Sequence, residues 1–175
     1  MAGAAAEDFN HRIIEEFRAN GGRVGGPLAG IPMLLLHHIG ARSGIERVTP
    51  LAYRPHGDGR YLIVASNGGS PTHPGWYHNL KANPAVEVEV GTETFTACAE
   101  ELEAAAHHPL WSELVAASTS LREYQTKTAR RIPMLMLTRG HRPAQNRSKS
   151  PTARPSTAAS AAVRTGEAAG CRRTR

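Results

Sequence analysis

The sequence predicts an α+β chain, mainly antiparallel β, folded as a barrel or a strongly curled sheet. Three observations carry this expectation. Six segments have strand character: 33–39, 47–54, 60–65, 85–90, the return through Phe95, Ala97 and Ala99, and 132–137. Turn signals such as Ala41-Arg42-Ser43-Gly44, Pro55-His56-Gly57-Asp58-Gly59 and Gly91-Thr92 join neighbouring segments as hairpins, not as βαβ units. Helical patterns are confined to the N-terminus and a few crossings.

The elements follow in order. Phe9, Ile13, Ile14 and Phe17 recur at helical spacing, so 7–20 reads as an amphipathic helix stopped by Gly21-Gly22. Residues 21–30 read as a loop whose glycines do not make a dinucleotide fingerprint, because Arg23 stands where its second glycine belongs. Met33 to Ile39 is a buried strand, and Arg47 to Arg54 pairs back on it, with Pro50 marking an edge or a bulge. The β-prone run Tyr61 to Val64 ends at Ser66-Asn67-Gly68-Gly69-Ser70, where paired glycines permit positive φ and close approach of a ligand. Pro74 suits the first position of a short helix through Trp76, Tyr77, His78, Asn79 and Leu80, which Asn83-Pro84 stops. Val86, Val88 and Val90 alternate with Glu87 and Glu89 in the next strand. Residues 100–117 read as mostly helical, with Leu110, Trp111 and Leu114 on one face, and a shorter helix surrounds Tyr124.

Charge divides the chain in two. Residues 139–175 hold nine of its 21 Lys and Arg and one of its 15 acidic residues, leaving twelve bases and fourteen acids in 1–138. The body is therefore mildly acidic, at about −2, and lacks the basic stripe of a nucleic-acid-binding face. From His141 onward Ser, Thr, Ala, Pro and Arg dominate without apolar periodicity, so 139–175 is expected to be a disordered basic tail beside a 1–138 coenzyme-binding domain. Residues 1–12 show no secretory signal, the apolar run at 33–36 is too short to span a bilayer, and two cysteines make no disulfide framework. A cytoplasmic protein is expected, with the amphipathic helix as the candidate for peripheral contact with a membrane.

Three chemistries are poorly supported. The nine histidines lack metal-ligand spacing, Ser66 and Ser70 lack a nucleophile elbow, and no P-loop is present. Arg42-Ser43-Gly44 followed by Arg47 does suit a phosphate: two forked, charged donors and a hydroxyl stand at one hairpin lip, and Gly44 lets a backbone N–H approach. A solvated β-turn is the alternative.

The runs GARSGIERVTPLAY (40–53), ASNGGSPTHPGWYHNLKANPAVEVEVG (65–91) and YQTKTARRIPMLML (124–137) resemble the deazaflavin-dependent nitroreductases, which are split β-barrel oxidoreductases that use coenzyme F420. The resemblance spans roughly 9–138 and implies a split β-barrel of the flavin-reductase and FMN-binding kind, with an N-terminal helix and peripheral helices. It implies that Arg42, Ser43 and Arg47 hold the coenzyme phosphate. The ring would lie along Thr49, Pro50 and Tyr53 and against Ala65, Ser66, Asn67, Gly68 and Gly69, with Trp76 and Asn79 closing the site. Tyr124 is the implied proton donor, and Ser66 the second catalytic candidate. The implied activity is hydride transfer from reduced F420 to a small or lipophilic acceptor such as a quinone or a nitro compound. The alternatives are the same barrel using FMN, or a carrier that binds F420 or an apolar ligand without turnover. Two residues depart from the family: Asn67 stands where many members have lysine, and Leu121 where some present an aromatic side chain.

Overall fold

The computed structural model describes residues 2–140, so the expected 139–175 tail lies outside the described residues except at its start, where Arg139 ends the last strand and pairs with Ala97. Six strands, β1 (Met33–Ile39), β2 (Glu46–Pro55), β3 (Arg60–Val64), β4 (Ala85–Val90), β5 (Glu93–Glu101) and β6 (Met134–Arg139), close into an antiparallel barrel in the order β1-β2-β3-β6-β5-β4. This is the expected split β-barrel. Four helices decorate it: α1 (Ala2–Ala19), α2 (Gly75–Ala82), α3 (Ala104–Ala117) and α4 (Thr119–Thr126).

The sequence Met33-Leu34-Leu35-Leu36 does not alternate because both faces of β1 are covered. Leu34 and Leu36 point into the barrel with Ile63, Val88, Leu135 and Leu137, all essentially inaccessible. Met33 and Leu35 point outward and pack under Ile13 and Phe17 of α1. The run Met134-Leu135-Met136-Leu137 repeats the logic: Met134 and Met136 face outward with Leu62 against Leu114 of α3. Successive strand residues face opposite sides, so a strand buried on both must be apolar throughout. By contrast the outer face of β4 is polar: Glu87 stays exposed between buried Val86 and Val88, and Glu89 bonds to Arg18 of α1. Trp76 and Leu80, one turn apart on α2, pack into the inward-facing cluster.

Pro50 lies within β2, opposite Leu35. The Tyr53 N–H donates to the Pro32 carbonyl at 3.0 Å, so the alternating ladder makes Leu51 and Thr49 hydrogen-bonded partners of β1 and turns the Pro50 nitrogen away from it. On that outer side β2 pairs with β3 only from Tyr53 onward. Pro50 therefore occupies a local edge, where a missing N–H costs no ladder bond.

Several boundaries differ from expectation. α1 begins at Ala2 rather than near Glu7, and Pro74 caps α2 instead of opening it. Residues 100 and 101, read as helical, extend β5, where they pair with Met136 and Leu135 of β6. No helix of the described residues is long and apolar enough to cross a membrane.

Candidate functional site

A cleft of about 1290 Å³ opens between α1, the β1–β2 hairpin and the start of α2. It gathers Arg42, Ser43 and Arg47 from the hairpin, Thr49 from β2, and Trp76 and Asn79 from α2. Arg42 and Arg47 are exposed and make no ion pair or hydrogen bond with any described residue. The turn that carries them is held from within: the Gly40 N–H donates to the Ile45 carbonyl, and the Gly44 N–H to the Gly40 carbonyl, each at 2.8 Å. Gly44 sits at φ +66°, which a side chain would strain, and open space lies where its Cβ would point.

The opposite wall was not legible in the sequence as part of a site. Glu7, Asn10, His11, Ile14, Glu15 and Arg18 fall on one face of α1 and line the cleft. Arg18 also fixes the helix to the barrel through both carboxylate oxygens of Glu89, while His37 bridges Glu89 at 2.7 Å and Glu46 at 3.0 Å. Burial disfavours the His37 charge, but the hydrogen bonds to Glu89 and Glu46 outweigh it and raise its pKa.

His38, at 4% exposure, is a buried polar residue in the wall of the cleft. Its Nδ1 lies 2.9 Å from the Asn79 amide nitrogen and its Nε2 3.0 Å from the Thr49 hydroxyl. The Asn79 carboxamide oxygen accepts from the Ala41 N–H at 2.9 Å, so Asn79 ties α2 to the arginine turn. Burial first, then the positive charge of Arg47, pushes His38 down to about 4.

The other predicted site residues lie outside this cleft. Ala65 is inaccessible inside the barrel, and Pro50 is buried against β1. Tyr53 stands edge-on to Tyr61 with ring centroids 5.3 Å apart. Ser66, Asn67, Gly68 and Gly69 form a single 3-10 turn, with Asn67 at φ +49° and its amide donating to the Thr72 carbonyl at 3.0 Å. The two glycines differ in purpose. A Cβ on Gly69 would lie 2.8 Å from the Tyr124 carbonyl oxygen, so this glycine admits α4, whereas Gly68 faces open space. The structure thereby brings half-buried Tyr124 against the glycine turn, with the Lys127 ammonium 5.6 Å over its ring. Leu121 packs instead against the Leu62, Leu114 and Met134 cluster.

Arg130 organises this second region. Its guanidinium donates to the carbonyls of Ser70 (2.9 Å), Ser66 (2.8 Å) and Ala65 (3.2 Å) and lies 3.0 Å from His73 Nδ1. Burial lowers its pKa, the signature of a charge taken partly out of water.

Residues 11–139 match the family described as F420H(2)-dependent quinone reductase. An F420H(2)-dependent quinone reductase of Mycobacterium tuberculosis is 45% identical over 130 residues, covering 70% of this chain and 85% of that protein. Among solved structures, an F420-H2 dependent reductase is 42% identical with a TM-score of 0.54, over 61% of this chain and 93% of that one. A second, described as a domain-swapped dimer, is 36% identical with a TM-score of 0.56, over 78% and 99%.

Proposed function

Because the chain belongs to the F420H(2)-dependent quinone reductase family, we propose that it binds coenzyme F420 in the α1–hairpin cleft and reduces a small or lipophilic acceptor, a quinone or a nitro compound. The observation that carries this reading is the convergence of two unpaired guanidinium groups, Ser43 and Thr49 on one lip of the cleft. That donor set suits a phosphate or another anionic oxygen group, and the cleft is large enough for a flat ring system with a charged appendage.

When bound, reduced F420 supplies a hydride to the acceptor. This chain's residues supply the rest. Arg42, Arg47 and Ser43 would hold the anionic end by charge-assisted hydrogen bonds. Gly44 leaves the hairpin backbone open where a ligand must come close, and Gly68 leaves open space in the second region. Arg130 keeps the turn from Ser66 to Ser70 in one conformation, so nothing need be reorganised on binding. Tyr124, on α4 beside that turn, is the candidate proton donor to the reduced acceptor, and Ser66 is the second hydroxyl available there. Small-molecule substrates are the expected partners; α1 buries Ile13 and Phe17 against the barrel, which leaves Phe9 exposed.

Anaerobic mixing of the protein with reduced F420 and a short-chain quinone, then with a nitroaromatic, tests the reading by the growth of the visible absorbance of the oxidised coenzyme. Parallel titrations should show F420 bound more tightly than FMN. Binding without turnover on either acceptor would make the protein a carrier; no binding of F420 would refute the proposal.

A further inference from the structure

In the wall of the cleft a chain of hydrogen bonds runs in one direction only. The Asn79 carboxamide oxygen is committed to the Ala41 backbone N–H, so its amino group must face His38 and donate to Nδ1. Nδ1 is then an acceptor, and the single ring proton of neutral His38 sits on Nε2, which donates to the Thr49 hydroxyl oxygen. Thr49 lines the cleft beside Arg47. One lone pair of its oxygen takes the His38 proton, and its own proton meets no acceptor among the described hydrogen bonds. The strands explain the geometry. His38 pairs with Arg47 and Leu36 with Thr49, so His38 and Thr49 are diagonal neighbours on the face that also carries Leu34 and Leu36 into the barrel. At the point where the apolar inner face ends, His38 takes the next inward position and meets α2.

Resting on the functional reading above, we propose that His38 is a positioning residue of the coenzyme site: through Asn79 and His38 the hairpin backbone fixes the Thr49 hydroxyl as a donor, which reads an acceptor oxygen of bound F420. Burial keeps the imidazole neutral across the physiological range, so the direction of the chain does not reverse with ordinary changes of pH. Each bond polarises the next, which makes the terminal hydroxyl a better donor than an isolated threonine.

The test combines a spectrum with a mutant cycle. In the wild-type protein without ligand, imidazole nitrogen-15 spectra should show His38 protonated at Nε2 and bare at Nδ1; the opposite tautomer would overturn the proposal whatever the variants do. F420 titration should then give a roughly three- to ten-fold weaker Kd for Thr49→Val, the size of one neutral hydrogen bond, with recovery in Thr49→Ser. His38→Leu should weaken binding no more than Thr49→Val, and the double variant should match Thr49→Val alone, because His38 acts through Thr49. Additive losses, or wild-type affinity in Thr49→Val, would overturn the inference while leaving the functional reading intact. Failure of the wild-type protein to bind F420 would overturn both.

Discussion

Replacing Arg130 with alanine should separate the role of the glycine turn from that of the cleft. The side chain makes four contacts, three of them to carbonyls of Ala65, Ser66 and Ser70 and one to His73. A hydrogen bond to a charged donor contributes about 1.5 to 3 kcal/mol, so addition of four would overshoot. The contacts are shared within one group, the guanidinium has already lost part of its hydration, and water can enter the space left by truncation. A net loss of about 3 kcal/mol is therefore expected, or roughly 10 °C in the thermal midpoint of a body of this size. Lysine cannot reproduce the fork and should recover only a small part. Thermal melts followed by circular dichroism measure the loss, and hydrogen exchange across 65–73 locates it. A midpoint within two or three degrees of wild type (about 1 kcal/mol or less), with unchanged exchange at the turn, would refute the clamp.

Three further outcomes follow from other contacts. Gly69→Ala, which combines φ +83° with a Cβ 2.8 Å from the Tyr124 carbonyl oxygen, should cost more stability than Gly68→Ala, which has φ +62° but open space; about 1 kcal/mol is expected for the latter, and equal melts would deny the close approach of α4. His38, depressed to about 4, lets the unfolded chain bind more protons between about pH 4 and its ordinary 6.5, so stability should fall by roughly 3 kcal/mol as pH drops through that window. His37 acts in the opposite sense: its raised pKa adds stability that is fully present below 6.5 and lost as pH rises through its folded-state value, so urea melts should be most resistant near pH 6.5, and a flat profile would contradict both. Tyr124→Phe should slow turnover on quinones and leave F420 affinity nearly unchanged, whereas unaltered turnover would return Tyr124 to a packing role.

The barrel was legible where side-chain pattern and turn chemistry agree. β1 and β4 occupy the residues their patterns mark, Met33–Ile39 and Ala85–Val90, because each is bounded by glycine, proline or a tight turn and carries an unambiguous apolar set. The end of β5 was not legible. Glu100 and Glu101 are good helix formers, and pairing with Met136 and Leu135 of β6, far along the chain, holds them extended. The arginine turn could be read as a phosphate site because its donors are local in sequence. His38 could not, since its partners Thr49 and Asn79 lie 11 and 41 residues away, and its neighbour His37 looks the same in the sequence yet faces a pair of glutamates. Arg130 was hidden for the same reason: it falls in a family-like segment, but every carbonyl it holds is about 60 residues distant.

In the proposed complex Arg42 and Arg47 grip the anionic part of the coenzyme. Both are exposed and unpaired in the described structure, so their removal should scarcely alter the melt without ligand. Each charge-assisted contact is worth roughly 1.5 to 3 kcal/mol in favourable geometry, or one to two orders of magnitude in affinity. Titration of F420 into wild type, Arg42→Ala and Arg47→Ala at low and high salt measures this directly. A Kd about 10- to 100-fold weaker is expected in each variant, with raised salt weakening the wild type more than the variants; equal affinity in all three proteins, insensitive to salt, would contradict the phosphate grip.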